Sequence, residues 1–502
     1  MYFDFYTLTF KETTTDCDKP AVWGSNGILS WNEFKACVEE LKTTLQYNNI
    51  VAGQPVIIYG HKETFYPVAI IALMSLDIPY IPVDTIYPAA RLESIIRQTG
   101  SCIIIRCGKE PLPVSIPMEI SFEDNIRIRR NGIPPAAVLA QTDDPVRYIM
   151  FTSGSTGEPK GVQITRNAIH SFLNWAQSDF GFNASDVFLN QSPFTFDVSL
   201  FDILISFQYG ASVFLVNRSC TTGVKSFFET MKQRGITVWT STPAFVYMFL
   251  REKEFNCEYF PTIKTFVFAG EILPVNTVRI LRKNFPDARI INAYGPTEAT
   301  IITTWCEVTD DMMNQTGPLP IGYPKKDARI FTDPEESNTE CPGEIIIAGA
   351  HVSLGYFNNH ELTSEKFFSH GNMPAFRTGD LGYFQNGMLY FAGRNDNQIK
   401  LHGYRIELSE IDSIIAGLNA VETSVTVPVI INREVKRLIT FVLLLPEFRS
   451  SANETILNIK DQIRHLLPSY MIPGEIVSIE KIPVSANFKV DKNALLDYYK
   501  SI

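Results

Sequence analysis

Tyr148 to Val162 reads YIMFTSGSTGEPKGV, an apolar β-prone run that passes directly into Thr152, Ser153, Gly154, Ser155, Thr156 and Gly157, and then into Lys160 and Gly161. Glycines permit the dihedrals and the close approach that turn several backbone N–H groups and hydroxyls toward one anion. The stretch suits phosphate. A flexible surface turn is the commoner use of a Gly/Ser-rich loop, but this one follows a strand and has a lysine shortly beyond it. It is not a Walker A loop, which needs GxxxxGK[ST]: the glycines and Lys160 miss that spacing, and Gly161 stands where a Ser or Thr would hold magnesium.

On either side of this loop, short runs rich in β-branched residues alternate with stretches of helical period, which predicts parallel sheets with helical crossovers. Strands are expected at Val56 to Tyr59, Cys102 to Arg106, Tyr148 to Thr152, Ala211 to Val216, Thr265 to Phe268 and Arg289 to Asn292. Helices are expected at Trp31 to Gln46, Thr64 to Leu76, Arg166 to Gln177 and Pro274 to Asn284. Past Gly343 the spacing changes to strands between turn signals, Glu344 to Ala348 and Met388 to Phe391. The polar stretch Gly393 to Gln398 reads as a linker. After it come a helix (Leu408 to Leu418), a strand (Leu438 to Leu445), a helix (Leu457 to Leu467) and a strand (Glu475 to Ile479), enough for a small α+β domain. The predicted fold is therefore α/β: a large domain of mostly parallel sheets covered by helices with a β-rich subdomain, residues 1–395, and a small mobile α+β domain, residues 396–502.

Composition sets the outer limits. The chain has 502 residues, 45% apolar and 20% charged, so it can bury several ordinary cores. Forty-four Lys and Arg against 54 Asp and Glu give a net charge of −10, which argues against a protein that coats nucleic acid. Eight cysteines are scattered without a CxxC pair, and reduced, mostly buried thiols in the cytoplasm are expected. The N-terminus lacks the pattern of a secretory signal. Tyr66 to Val83, the most apolar long stretch, is interrupted by Ser75, Asp77, Pro79 and Pro82, so no membrane span is expected.

With the loop come further motifs: FTFDVSLFDI around Asp197, FAGEILP around Gly270, NAYGPTEAT from Asn292, GEIIIAGAHVSLGY from Gly343, FRTGDLG from Phe376, GRNDNQIKLHGYRIEL from Gly393, LPSYMIP from Leu467 and NFKVDKNAL from Asn487. In this order they resemble the adenylate-forming superfamily of acyl-CoA ligases, luciferases and nonribosomal peptide synthetase adenylation domains. Within it, the stretches near Asp197 and Gly270 most resemble stand-alone ligases that load D-alanine onto a carrier protein.

The resemblance implies a set of roles. ATP would meet Thr152 through Gly157, Lys160, Asn292, Ala293, Tyr294, Gly295, Pro296, Thr297, Asp380, Arg394 and Lys489. Tyr294 would stack on adenine, Thr297 would contact phosphate, and Glu298 would hold Mg²⁺, a hard cation suited to carboxylate and phosphate oxygens. Asp380 would accept from the ribose hydroxyls, its two oxygens suiting a vicinal pair. Lys489 would be the catalytic lysine, with Glu298 and Thr152 beside the reacting phosphate, and Asp396 the hinge. Lys400 and Gly403 would line a channel for a phosphopantetheine thiol. Taken singly, Asp380 reads equally as a turn carboxylate, Asp396 as a solvated linker residue and Lys489 as a surface charge. Phe488 stands where the family usually has glycine.

Asp197 sets the substrate class implied. A buried carboxylate facing an ammonium is favourable, whereas one facing an alkyl chain is an uncompensated charge. As a sequence feature it also reads as a helix N-cap. By the same resemblance Val198, Phe268, Ala269, Gly270, Ala293 and Ile301 line the side-chain pocket with Lys489 at the carboxylate, leaving room for a small amino acid, D-alanine first. Ala269 departs from the cysteine common in D-alanine enzymes. ATP and Mg²⁺ are the implied cofactors, and a carrier protein acting in trans the implied partner, since the chain ends soon after the Lys489 motif. L-alanine, serine or glycine as substrate, an acyl- or aryl-CoA ligase, and a silent nucleotide-binding scaffold are the competing readings.

Overall fold

Trp31–Tyr47 is helical because Trp31, Phe34, Val38, Leu41 and Leu45 recur on one face and are buried, while Ser30 and Glu33 close a reciprocal capping box at its start. By contrast Phe65–Ser75 is apolar all round and buried along nearly its whole length, so it packs on every side within the core. This accounts for the long apolar stretch without a membrane: among the described residues no helix is long and apolar enough to cross one. The computed structural model describes residues 1–12, 17–122, 126–131, 138–139, 142–154, 158–218, 223–314, 317–335, 337–395, 398–431, 434–483 and 492–501.

The chain divides into two compact units, Met1–Thr85, Gln98–Phe151 and Gly161–Asn395 forming one, and Ile86–Arg97, Thr152–Lys160 and Asp396–Ile502 the other. In the first unit one sheet runs in the order Lys160–Thr165, Val146–Thr152, Tyr80–Asp84, Val56–Gly60, Ile103–Arg106, Met118–Phe122, Ile126–Arg130. Its central strands Val56–Gly60 and Tyr80–Asp84 are parallel and buried at every position, as strands covered on both faces must be. In a second sheet Arg289–Tyr294, Thr265–Phe268, Val238–Ser241, Val187–Asn190, Ser212–Leu215 and Pro20–Gly24 lie parallel in that order. Antiparallel strands close its edges. The β-rich part pairs Gly343–Gly349, Met373–Gln385 and Met388–Arg394 antiparallel.

The second unit contains a hairpin of Gln398–Leu401 and Tyr404–Glu407, a sheet of Val421–Ile431, Glu434–Leu444 and Glu475–Ser478, and the helices Leu408–Ala416, Ala452–Arg464 and Lys492–Ser501. Its core is built from Ile406, Ile411, Ile415, Leu438, Val442, Ile459 and Ile463.

Two expectations need correction. Within the stretch read as a linker, Gly393 and Arg394 finish the strand Met388–Arg394, with Arg394 opposite Asp380, and Gln398 opens the next strand. Polar composition misled there because Arg394 is held by a cross-strand carboxylate. The cysteines are free as expected among the described residues, but only Cys107 and Cys306 of them are buried, and Cys257 and Cys341 are exposed. Both exposed thiols lie outside helices and strands.

Candidate active site

Strand Arg289–Tyr294 delivers Tyr294 to the end of the parallel sheet, the end at which open α/β sheets bind ligands. Its ring is buried and its hydroxyl donates to Asp380 Oδ2 at 2.6 Å. Burial, and after it the Asp380 charge, push the Tyr294 pKa well above the usual tyrosine value, so the hydroxyl remains a donor. Asp380 Oδ1 is paired with Arg394, which also reaches the Thr378 carbonyl at 3.2 Å. Each carboxylate oxygen has two acceptor sites. One per oxygen is thus engaged from the protein, and a second on each suits a hydroxyl.

After Tyr294 the chain makes a short 3-10 turn, Thr297–Ala299, then takes left-handed backbone at Thr300 (φ 57°) and Ile301 (φ 71°). Such values are uncommon for β-branched residues and cost about 1–3 kcal/mol each. The turn buries Glu298 completely, and Tyr356 donates to its Oε1 at 2.8 Å. It also aims the Ile301 N–H at Asp197 Oδ2, 3.2 Å away.

Asp197 stands at the start of helix Val198–Tyr209, yet its side chain makes no capping bond. Burial pushes its pKa up to about 7, against the opposing pull of the Ile301 N–H, the Thr297 hydroxyl and the Val198 N–H, with the Glu298 charge adding to the rise. None of these donors is a cation. Ala269, Ala293 and Ile301 share one apolar cluster, with Val198 packed against it. Phe268 is not in it: successive strand residues face opposite sides, and Phe268 stacks near Phe266 in a separate cluster. Gly270 follows in left-handed backbone at φ 90°. Asn292 is buried and donates to the Pro320 carbonyl at 2.7 Å. Gly295 faces the Ile301–Ile302 backbone so closely that a Cβ would lie 2.5 Å from Ile302 Cα.

In the second unit, Thr152 ends its strand with a buried hydroxyl that has no hydrogen-bond partner among the described residues, an orphan that fits a phosphate loop. Ser153 and Gly154 follow, and Lys160 is buried where the chain resumes as a strand. Lys400 lies on the first strand of the hairpin, and Gly403 in its turn at φ 85° beside His402 at 52°, both left-handed as a two-residue hairpin turn requires. Ser155, Thr156, Gly157, Asp396, Phe488 and Lys489 lie outside the described residues.

The sequence reading missed Tyr356. It lies within a quoted motif, but its bond to Glu298 spans 58 residues and no periodicity signals it.

The pattern that defines the AMP-binding enzyme family matches residues 10–357. This chain belongs to the AMP-binding enzyme family. The member described here is an AMP-forming ligase and draws on ATP. It is 36% identical over 496 residues to a D-alanine--D-alanyl carrier protein ligase of Bacillus licheniformis, with 97% of each chain covered. A ligase of the same name from Bacillus cereus is 40% identical over 451 residues, covering 88% of this chain and 89% of the other. Among solved structures, IdnL1 superposes with a TM-score of 0.80 at 26% identity, covering 93% of this family member and 96% of IdnL1. The Vibrio cholerae adenylation domain AlmE, solved in complex with glycyl-adenosine-5'-phosphate, gives 0.80 at 22% identity over 98% of this chain and 100% of that one, a likeness of fold.

Proposed function

We propose that this ligase activates a small amino acid, D-alanine by preference, as the aminoacyl-adenylate and transfers it to the phosphopantetheine thiol of a separate carrier protein in the cytoplasm. The observation that carries the reading is Asp197, a buried carboxylate with neutral donors and no ion pair among the described residues. An α-ammonium is the cation it lacks. Relatives named for D-alanine, matched over most of their length, support the choice of amino acid, and the apolar Ile301 and Val198 beside Asp197 suit a small aliphatic side chain.

In the first half-reaction a substrate carboxylate oxygen attacks the α-phosphorus, and the bond to the β-phosphate oxygen breaks, releasing pyrophosphate. Asp197 fixes the ammonium, Tyr294 and Asp380 hold the nucleoside, and Thr152 with the loop through Lys160 meets the phosphates. Lys489 brings an ammonium to the charge developing between carboxylate and α-phosphate. A fully buried single carboxylate fits magnesium, which takes one or two protein carboxylates together with substrate phosphates; Glu298 would hold the ion, which neutralises phosphate charge. In the second half-reaction the thiol sulfur attacks the acyl carbon, AMP leaves and the thiol proton passes to solvent, with Lys400 and Gly403 lining the thiol's approach. The functional domains on this reading are 1–395 and 396–502, hinged at Asp396.

Pyrophosphate exchange over both enantiomers of alanine, serine and glycine tests the reading. Exchange strongest with D-alanine and abolished in Asp197→Ala is the expected result. Exchange driven by a simple fatty or aryl acid, or ATP binding without AMP formation, overturns it.

A further inference from the structure

Within the second unit, the first residues of the phosphate loop already have partners. The Ser153 hydroxyl donates to the Arg405 carbonyl at 3.0 Å and accepts from the Glu407 N–H at 3.1 Å. The Gly154 N–H donates to Glu410 Oε2 at 3.1 Å, and the other oxygen of that carboxylate receives Arg91. Glu410 is completely buried and Arg91 nearly so. Arg91 also lies 5.7 Å from the centre of the Tyr87 ring, and Tyr470, which stacks on Tyr404 at 3.9 Å, belongs to the same polar nexus. Glu410 sits in the first turn of Leu408–Ala416, just beyond the GYRIEL stretch, and the two half-reactions give it no role.

A desolvated carboxylate is retained in a protein interior only where donors compensate it. Here burial raises the Glu410 pKa, and Arg91 and the Gly154 N–H oppose the rise. The Gly154 N–H is also one of the donors that a phosphate at this loop would use. One N–H cannot serve two anions at hydrogen-bond distance, and the anions repel each other.

We infer that Glu410 is an internal occupant of the phosphate loop, an anion seated on Gly154 that the triphosphate of ATP must displace and that returns when pyrophosphate has left. The inference rests on the adenylation reading given above. Glu410 then acts as a positioning residue. It lowers apparent ATP affinity by the fraction of enzyme in which the loop is occupied, and it opposes pyrophosphate rebinding once the adenylate has formed, which separates the two half-reactions.

Glu410→Gln keeps the size and an acceptor oxygen but removes the charge. Pyrophosphate exchange with D-alanine should show the KM for ATP falling at least threefold with the KM for D-alanine unchanged. Inorganic pyrophosphate should inhibit transfer from preformed adenylate at correspondingly lower concentration, and Glu410→Asp should restore wild-type behaviour in part. An unchanged or raised ATP KM in an active Glu410→Gln enzyme overturns the proposal, and so does a parallel rise in both KM values, which marks general damage to the fold. Wild-type enzyme supplies a second measurement should that variant fail to fold. Inorganic triphosphate should speed hydrogen exchange at the Glu407 amide, released from Ser153, and undiminished protection at saturating triphosphate overturns the proposal. Absence of exchange activity in the wild-type enzyme with every amino acid tested refutes the adenylation reading instead, a distinct result.

Discussion

At the scale of single residues, chemistry is concentrated in carboxylates whose surroundings differ. Asp380 is tied to Tyr294 and Arg394, whereas Asp197 has neutral donors and a pKa pushed up to about 7 by burial. Below that pH the free enzyme holds Asp197 protonated, and a neutral carboxyl is a poor partner for an ammonium. The KM for the amino acid should therefore rise about tenfold for each pH unit below 7 and level off above it. Pyrophosphate exchange measured from pH 5.5 to 8.5 checks this, with Asp197→Asn expected to bind weakly and without the pH step. Tyr356→Phe removes the donor to Glu298 Oε1, a buried hydrogen bond to a carboxylate, a loss of about 1–3 kcal/mol. A fall of roughly tenfold in kcat with the D-alanine KM unchanged is expected, and a wild-type rate in that variant would remove Tyr356 from the site. Asp197, Glu298 and Asp380 were singled out in the sequence because they lie in recognisable motifs, and the structure finds all three buried. Tyr356 and Glu410 were not singled out, because their importance lies in what distant segments bring against them.

Elements show the same division between local and long-range information. Thr265–Phe268 begins and ends where its β-branched and aromatic run predicts, and Phe65–Ser75 falls inside the predicted helix. Gly393 and Arg394, which extend the expected strand from Met388, were read as linker because cross-strand pairing with Asp380 overrides local polarity. Phe268 and the neighbouring Ala269, expected on one pocket, fall in separate apolar clusters, since a period of two sends neighbours to opposite faces. The turn after Tyr294 is the element on which the site depends most directly. It carries two left-handed β-branched residues, and Gly295 packs against the Ile301–Ile302 backbone, where a Cβ would lie 2.8 Å from the Ile301 carbonyl oxygen. Backbone cannot give way as a flexible side chain can. Gly295→Ala should thus move the Ile301 N–H off Asp197, raising the amino-acid KM roughly tenfold and destabilising the fold by about 1–3 kcal/mol. Parallel measurements of exchange kinetics and thermal midpoint test this, and an unchanged amino-acid KM would show that the turn relaxes without disturbing Asp197.

Over the whole molecule, strand order was beyond the sequence, since nothing in the spacing of apolar runs states that Pro20–Gly24 lies beside Ser212–Leu215. The alternation of elements gave the parallel α/β class, and side-chain burial then decides how stability depends on pH. In the first unit, burial raises Asp197 to about 7 and Asp202 to about 8, and lowers His351 to about 3 and Lys62 to about 7. A carboxyl with a raised folded pKa holds a proton that the unfolded chain releases near pH 4, so its cost grows from there and is complete above the folded value. For His351 the sign is opposite: its contribution is present above the unfolded pKa near 6.5 and is lost as pH falls toward 3. Lys62 contributes increasing stability only above about 7. From pH 6 to 8 the carboxyls still outweigh Lys62 and His351, and the ligand-free enzyme should lose on the order of 1 to 2 kcal/mol across that interval. Two compact units need not unfold in one step, so the quantity to follow is the denaturant midpoint of the transition that exposes Trp239, buried in the first unit. Asp202→Asn should raise that midpoint strongly at pH 8 and much less at pH 5, where the folded carboxyl is neutral and only ionisation of the unfolded wild-type chain separates the two proteins. A midpoint that climbs from pH 6 to 8 in the wild-type enzyme would mean that Asp197 and Asp202 are ionised in the fold well below pH 7.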